Sequence, residues 1–182
     1  MIFSKQVIFS KDECIDILNS AKEFKESGLD VMVQNQDKGW TANYKKRKST
    51  QCELIAKRNT LIYNKINLAL NTTGYELSCD EFIYDIIKYT KGDFIWKHKD
   101  DKGQRLFSIV IQMNDGNEYS GGEFLYWLDD LEFKMDRTIG FGMLFKTGVY
   151  HEVTEVIDGE RYSFVSFINF NDVAKIGGRG LI

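Results

Sequence analysis

The chain has 182 residues, 43% of them apolar, and a formal net charge of −3. That length and apolar share fit one domain around one core. The acidic balance disfavours a general nucleic-acid binder, which is normally basic, and no run of roughly 18 apolar residues offers a membrane-spanning helix.

Three cysteines, Cys14, Cys52 and Cys79, are odd in number and share no close spacing. They predict free thiols in a reducing compartment rather than a disulfide framework or a zinc knuckle. The opening MIFSKQVIFSKDE has no apolar run of signal-peptide length, so the expectation is a cytoplasmic protein with no membrane partner. There is no proline, where ordinary usage would give roughly nine. There are only two histidines, which raises the weight of a metal-ligand pattern that uses both.

In chain order, Gln6 to Phe9 reads as a short strand. Ser10-Lys11-Asp12-Glu13 is a capping-box pattern, and Cys14, Ile17, Leu18, Ala21 and Phe24 continue at helical spacing to about Lys25. Ser27-Gly28 ends that helix. Extended segments and loops are expected from Leu29 to Ser49, then a second helix from about Thr50 to Asn71 that buries Leu54, Leu61, Ile62, Ile66, Ala69 and Leu70.

After Gly74 short β-rich runs alternate with Gly, Asn and Asp. Strand candidates lie near 80–89, 94–98, 105–113, 122–127, 132–137, 140–145, 149–157 and 161–169. Helices followed by about eight strands predict a mainly β fold, a jelly roll backed by helices at about 10–73 with its core at about 80–170. One domain over residues 1–182 is the expectation, with a loosely held tail from Asn171.

His98-Lys99-Asp100 ends the β-like run from Phe94. Residues two apart on a strand face one side, so the imidazole and the carboxylate can converge on one ion. His151, at the start of another strand candidate, is the remaining histidine and supplies a third ligand. Two histidines and a carboxylate with open positions are the facial arrangement of non-haem iron(II). A lone H-x-D also occurs as a histidine hydrogen-bonded to an acid, so the pattern needs support from elsewhere. Arg161 and Ser163 face the same way on a strand, and a guanidinium fork suits the distal carboxylate of a dicarboxylic acid. Alone, an arginine more often ends in a surface ion pair.

Together, Tyr89-Thr90-Lys91-Gly92, His98-x-Asp100, Gly121-Gly122-Glu123, His151 and Arg161 resemble the 2-oxoglutarate/Fe(II)-dependent dioxygenases, in particular the prolyl 4-hydroxylase-like branch. RLFSIVIQMNDGNEYSGGEFLYW resembles that branch's strand–loop–strand block, and IGFGMLFKTGVYHEVTEVIDGERYSFVSFI its closing block. KKRKSTQCEL is a weaker echo of the family's N-terminal region. Glu155 departs from the family, which commonly has proline after the second histidine.

The resemblance implies a double-stranded β-helix (cupin-like) in which His98, Asp100 and His151 hold Fe(II). It implies that Arg161 binds 2-oxoglutarate, with Tyr89 and Ser163 beside it, that O₂ is the oxidant, and that ascorbate is a further candidate cofactor. The Gly121-Gly122-Glu123 motif is expected to be structural. A peptide or protein substrate hydroxylated on a side chain, with proline foremost, is the implied activity. Hydroxylation of a free amino acid or other small molecule is the alternative, and a metal-bound sensor without turnover is the rival from another class.

The resemblance also disfavours nucleic acid, since the superfamily's nucleic-acid demethylases usually carry a second arginine soon after the first and none stands between Arg161 and Arg179. Lys45-Lys46-Arg47-Lys48, beside Tyr44 and Trp40, is either a steering patch for an acidic partner or a solvated loop. Trp96 and Trp127 are placed on either side of the mouth, Trp96 as a wall of the metal pocket and Trp127 as packing. Asp100-Asp101 and Asp129-Asp130 predict an acidic rim.

Overall fold

The alternating apolar pattern of the chain's second half closes into two facing antiparallel sheets. The computed structural model describes residues 1–27 and 47–177 in full, and the backbone pairing of Met32–Asn35 with Gly39–Ala42. The major sheet has seven strands, in the order Ile2–Val7, Phe141–Lys146, Arg105–Gln112, Arg161–Asn169, Glu81–Tyr89, Thr50–Lys57 and Lys25–Glu26. The minor sheet has five, in the order Leu131–Lys134, Phe124–Leu128, Tyr150–Val153, Phe94–His98 and Arg47–Lys48. Two facing antiparallel sheets with non-sequential strand order form a jelly roll, as the resemblance implies.

The central strands of the major sheet, Arg105–Gln112 above all, are buried on two faces. The sheet's outer face meets the helices Lys11–Ser20 and Leu61–Asn71 through Phe9, Cys14, Ile66, Leu70, Ile109 and Phe164. Its inner face meets the minor sheet through Ile87, Val110, Met143, Phe145, Phe124 and Val153. This double burial explains why Arg105–Gln112 reads RLFSIVIQ, nearly apolar throughout, rather than alternating. Burial of one such side chain is worth about 1.5–3 kcal/mol, so the helices stabilise the scaffold from behind and leave the inner face free for chemistry. Among the described residues no helix is long and apolar enough to cross a membrane.

The capping box at Ser10 and Glu13 is present, with both reciprocal hydrogen bonds. Three expectations are corrected. The first helix stops at Ser20, because Ala21 is extended and Lys25–Glu26 joins the sheet edge.

The second helix begins at Leu61. Thr50–Lys57 is a strand, with Cys52 and Ala56 buried while Glu53, Ile55 and Lys57 face outward. The boundary is chemical: Asn59 takes φ 68, and the Thr60 hydroxyl then caps the helix by accepting from Tyr63 N–H. Helical spacing across that turn was fortuitous, since Leu54 lies before it and Leu61 after it. The tail is also better held than its glycines suggest up to Lys175, because Val173–Lys175 pairs with Tyr75–Leu77. Residues 178–182 lie outside the described ones, as do Lys45, Lys46, Tyr44 and the side chain of Trp40.

Candidate metal centre and cosubstrate pocket

The Phe94–His98 strand pairs with Tyr150–Val153 so that His98 and His151 lie directly opposite, as do Ile95 and Val153. Three steps on one strand against two on the other make a β-bulge, which re-aims side chains. Ile95 and His98 therefore both turn inward, and Trp96 is left 61% exposed at the cavity mouth. Plain alternation had placed Trp96 on the His98 face; Ile95 takes that place as the wall.

Each imidazole is oriented through its Nδ1. The His98 Nδ1 lies 2.8 Å from the Trp96 carbonyl oxygen, and the His151 Nδ1 lies 3.0 Å from that of Val149. A carbonyl only accepts, so both rings carry the proton on Nδ1 and present the Nε2 lone pair to the cavity. Both Nε2 atoms face Asp100, at 3.6 Å from Oδ1 for His98 and 3.3 Å from Oδ2 for His151. The three ligand atoms lie within 4.8 Å of one another.

Metal bonds of roughly 2.1 Å at right angles separate neighbouring ligand atoms by about 3 Å. The donor set fits a facially bound transition metal in number, chemistry and spacing. Among the described residues no other group of His, Cys, Asp and Glu converges this way.

Asp100 sits just past the strand end. Its N–H donates to the Thr147 carbonyl at 2.9 Å, and the Ser108 hydroxyl donates to Oδ2 at 2.7 Å. Burial pushes the Asp100 carboxyl up, but the His98 hydrogen bond, the neighbouring imidazoles and Ser108 outweigh it and hold it below its ordinary value. Burial pushes His151 down, and it stays below its ordinary value despite Asp100. Both shifts keep ligands deprotonated, which metal binding requires.

From this centre a cavity of about 540 Å³ runs inward to Arg161. Arg161 is 1% exposed, and its Nε, Nη1 and Nη2 have no hydrogen-bond partner; the buried Ser163 Oγ has none either. Arg161 lies opposite Tyr89 in the sheet, its guanidinium carbon 5.2 Å from the tyrosine ring. Leaving a guanidinium buried and unpaired costs several kcal/mol. The natural complement is a carboxylate, which fits a dicarboxylic acid spanning from the metal to Arg161.

The Gly121-Gly122-Glu123 motif builds the wall behind. A Cβ on Gly121 would lie 2.1 Å from the Glu155 carbonyl oxygen, and its φ is +67. Glu123 accepts from Arg137 at 3.0 Å and pairs with Lys134 at 2.8 Å. Gly121→Ala is expected to cost about 2–4 kcal/mol, because backbone meets backbone and a left-handed conformation is imposed as well. Urea unfolding measures this, and a loss under about 0.5 kcal/mol would contradict the close approach.

Other assignments move. Trp127 lies on the outer face of the minor sheet, opposite Tyr150, with Lys97 Nζ 3.7 Å from its ring centroid, so it packs there and not at the mouth. Asp129 and Asp130 form the two-residue hairpin turn between Phe124–Leu128 and Leu131–Lys134, both with positive φ. The rim is therefore not acidic on the metal side, where Lys99, Lys102 and Arg105 stand. Of the basic run, Arg47 is buried, donating to Ser49 and Gln51, and Lys48 pairs with Asp93 at 3.2 Å. Ser108 and Thr147 were missed, although a serine inside the apolar run LFSIVI was a readable sign of a polar task.

A helix-backed jelly roll with a two-histidine, one-carboxylate centre defines a non-haem oxygenase core. Residues 84–169 match the family model described as the 2OG-Fe(II) oxygenase superfamily. Over those residues the chain is similar to that superfamily, and the match supports a dioxygenase whose family implies Fe(II), 2-oxoglutarate and O₂.

Solved structures share the fold. A Pseudomonas putida prolyl-4-hydroxylase aligns with TM-score 0.66 at 20% identity, covering 91% of each chain. A Burkholderia pseudomallei oxidoreductase of the 2OG-Fe(II) oxygenase family aligns at 0.63 and 18%, covering 96% of this chain and 87% of that one. A Trichoplax adhaerens prolyl hydroxylase, in complex with a hypoxia inducible factor oxygen degradation domain peptide fragment, aligns at 0.60 and 13%, covering 87% and 76%. No curated protein sequence matches the chain.

Proposed function

We propose that this chain is a single-domain peptidyl hydroxylase, with a proline side chain in a peptide or protein as its favoured target. His98, Asp100 and His151 would hold the iron, Arg161 the distal carboxylate of 2-oxoglutarate, and Tyr89 and Ser163 the ground between them. The observation that carries the reading is the fully buried, unpartnered Arg161 guanidinium in the same cavity as the three converging ligands.

Bound iron, with 2-oxoglutarate and O₂, supplies oxidising power for C–H hydroxylation coupled to release of succinate and carbon dioxide. The chain's residues supply position. The Trp96 and Val149 carbonyls fix both imidazole tautomers, and Ser108 holds the Asp100 carboxylate in place by donating to one of its oxygens. Ile95, Phe124 and Phe145 line an apolar wall that keeps water from the reacting centre. Ascorbate belongs to the proposal only as an accessory reductant. The three cysteines are free, in keeping with a reducing, cytoplasmic setting, and burial, foremost, pushes the Cys14 thiol up to about 12, which keeps it unreactive.

Proline is favoured because a rigid ring lowers the cost of ordering one C–H before the metal, and because two of the fold relatives are described as prolyl hydroxylases. The test offers proline-rich peptides, the same peptides with alanine for proline, and free L-proline. Succinate release with a +16 Da product (one added oxygen) confined to the proline peptides is expected. Equal response to alanine peptides, or a response to free amino acids alone, would transfer the reading to a small-molecule hydroxylase. No succinate with any of them would favour a sensor.

A further inference from the structure

Alternation along Arg161–Asn169 sends Arg161, Ser163, Val165 and Phe167 to the inner face of the major sheet, and all four line the cavity. Arg161 marks its closed end. Phe167 lies opposite Ser108, the residue that holds Asp100, and so stands level with the metal ligands. Just beyond, the register shifts between Arg105 and Phe107. Phe107 packs into the core on the outer face, while Arg105 lines the cavity.

The Arg105 guanidinium carbon is 3.6 Å from the Phe167 ring centroid, a stacking distance. Its carbonyl accepts from the Thr147 hydroxyl at 3.3 Å, and the Thr147 carbonyl in turn accepts from Asp100 N–H. Arg105 is thus tied through one residue to the segment that carries the metal ligand.

A guanidinium held over a ring keeps its N–H donors in the plane, pointing sideways and available to a planar carboxylate. The ion pairs among the described residues engage Lys48, Arg58, Lys65, Lys88, Lys134 and Arg137, and none engages Arg105. Lys99 and Lys102 line the same side of the mouth. Glu53 and Asp85 are register partners on adjacent strands of the major sheet and line the same cavity, as Arg47 does, and Gln51 donates to Asp85 at 3.3 Å. The chain is acidic overall, at −3, yet the side of its cavity mouth beside the metal ligands is basic. Such a basic side selects and orients a substrate that carries negative charge next to the reacting group.

We propose that Arg105 binds a carboxylate of the primary substrate, so that an acidic group next to the oxidised position determines specificity. This rests on the hydroxylase reading for its consequence but not for its measurement, because carboxylate binding is read without turnover. Arg161 is buried at the closed end and Arg105 is half-buried at the mouth, so the two guanidinium groups address different carboxylates.

The experiment titrates peptides into protein loaded with Zn(II) and 2-oxoglutarate, following binding by calorimetry. The probes are a proline peptide with aspartate beside the proline, its asparagine and lysine counterparts, and free L-proline. For the unmodified chain the aspartate peptide should bind about ten-fold tighter than the asparagine one. Arg105→Gln should bring that ratio to about one, Arg105→Lys should keep most of it, and Arg105→Glu should move the preference to the lysine peptide.

A ratio near one in the unmodified chain, or a ratio that survives in Arg105→Gln, overturns the proposal. So does competition by oligothymidylate stronger than that of the aspartate peptide, which would assign the basic wall to phosphate. If free L-proline alone shows the Arg105 dependence, the anchor stands with the substrate's own α-carboxylate as its ligand. If the ratio behaves as expected while the iron-loaded enzyme yields no +16 Da product on any probe, Arg105 stands and the prolyl reading fails.

Discussion

Asp100→Ala should abolish 2-oxoglutarate turnover, and His98→Ala and His151→Ala should do the same. Partners one shell out from a metal are typically worth 10–100-fold in affinity or activity, so loss of a ligand itself should exceed about 100-fold. Asp100 is the most exposing test, because it faces both imidazoles and is held by Ser108 and by the Thr147 carbonyl. Ser108→Ala removes only the hydroxyl behind the carboxylate and should fall within about 10–100-fold.

Protons compete with the metal for the same lone pairs. His151 is held below 6.5 and Asp100 below 3.8, so both stay deprotonated further into acid than free side chains do. At these two positions proton competition should therefore set in at lower pH than for a free imidazole and a free carboxylate, which favours metal retention into acid. Metal content after gel filtration at stepped pH, with succinate release on the same fractions, measures both effects. Near-native turnover in any of the three alanine variants would remove that residue from the ligand set.

How far this was legible in the sequence differs from residue to residue. With only two histidines, His98 and His151 were strong candidates, and their meeting across one register step needs no unusual geometry. The face of Trp96 was not legible, because a bulge adds a residue without leaving a mark in the hydrophobic pattern. The strand Thr50–Lys57 was misread as helix because the turn at Asn59 joins two apolar segments in apparent helical phase; only the positive φ and the Thr60 cap separate them. Arg105 was passed over for the same kind of reason. Its inward orientation comes from the shift between Arg105 and Phe107, and alternation counted from Ser108 would have sent it to the opposite face. Periodicity thus gives the faces of regular strands, and the irregular steps are where this cavity is built.

Arg161→Ala should weaken 2-oxoglutarate binding about 30-fold or more, since removing one partner of a buried, hydrogen-bonded charge pair costs about 2–5 kcal/mol. Arg161→Lys keeps a point charge without the fork and should fall between the two. A second measurement separates this role from a structural one. The buried guanidinium has no hydrogen-bond partner among the protein's own groups, so it is a liability to folding rather than a contributor. Replacing buried ionic groups by apolar side chains of similar volume is often neutral or stabilising, by about 1–4 kcal/mol. Arg161→Met should therefore hold or raise the Tm of the ligand-free protein while removing the rise in Tm that 2-oxoglutarate gives the unmodified chain. A residue that merely held the strand in place would do the reverse, lowering the Tm and leaving the ligand-induced rise intact. Unchanged 2-oxoglutarate affinity in Arg161→Ala would place the carboxylate anchor elsewhere in the cavity. A ligand-free Tm that falls in Arg161→Met would mean the guanidinium is satisfied before the cosubstrate arrives.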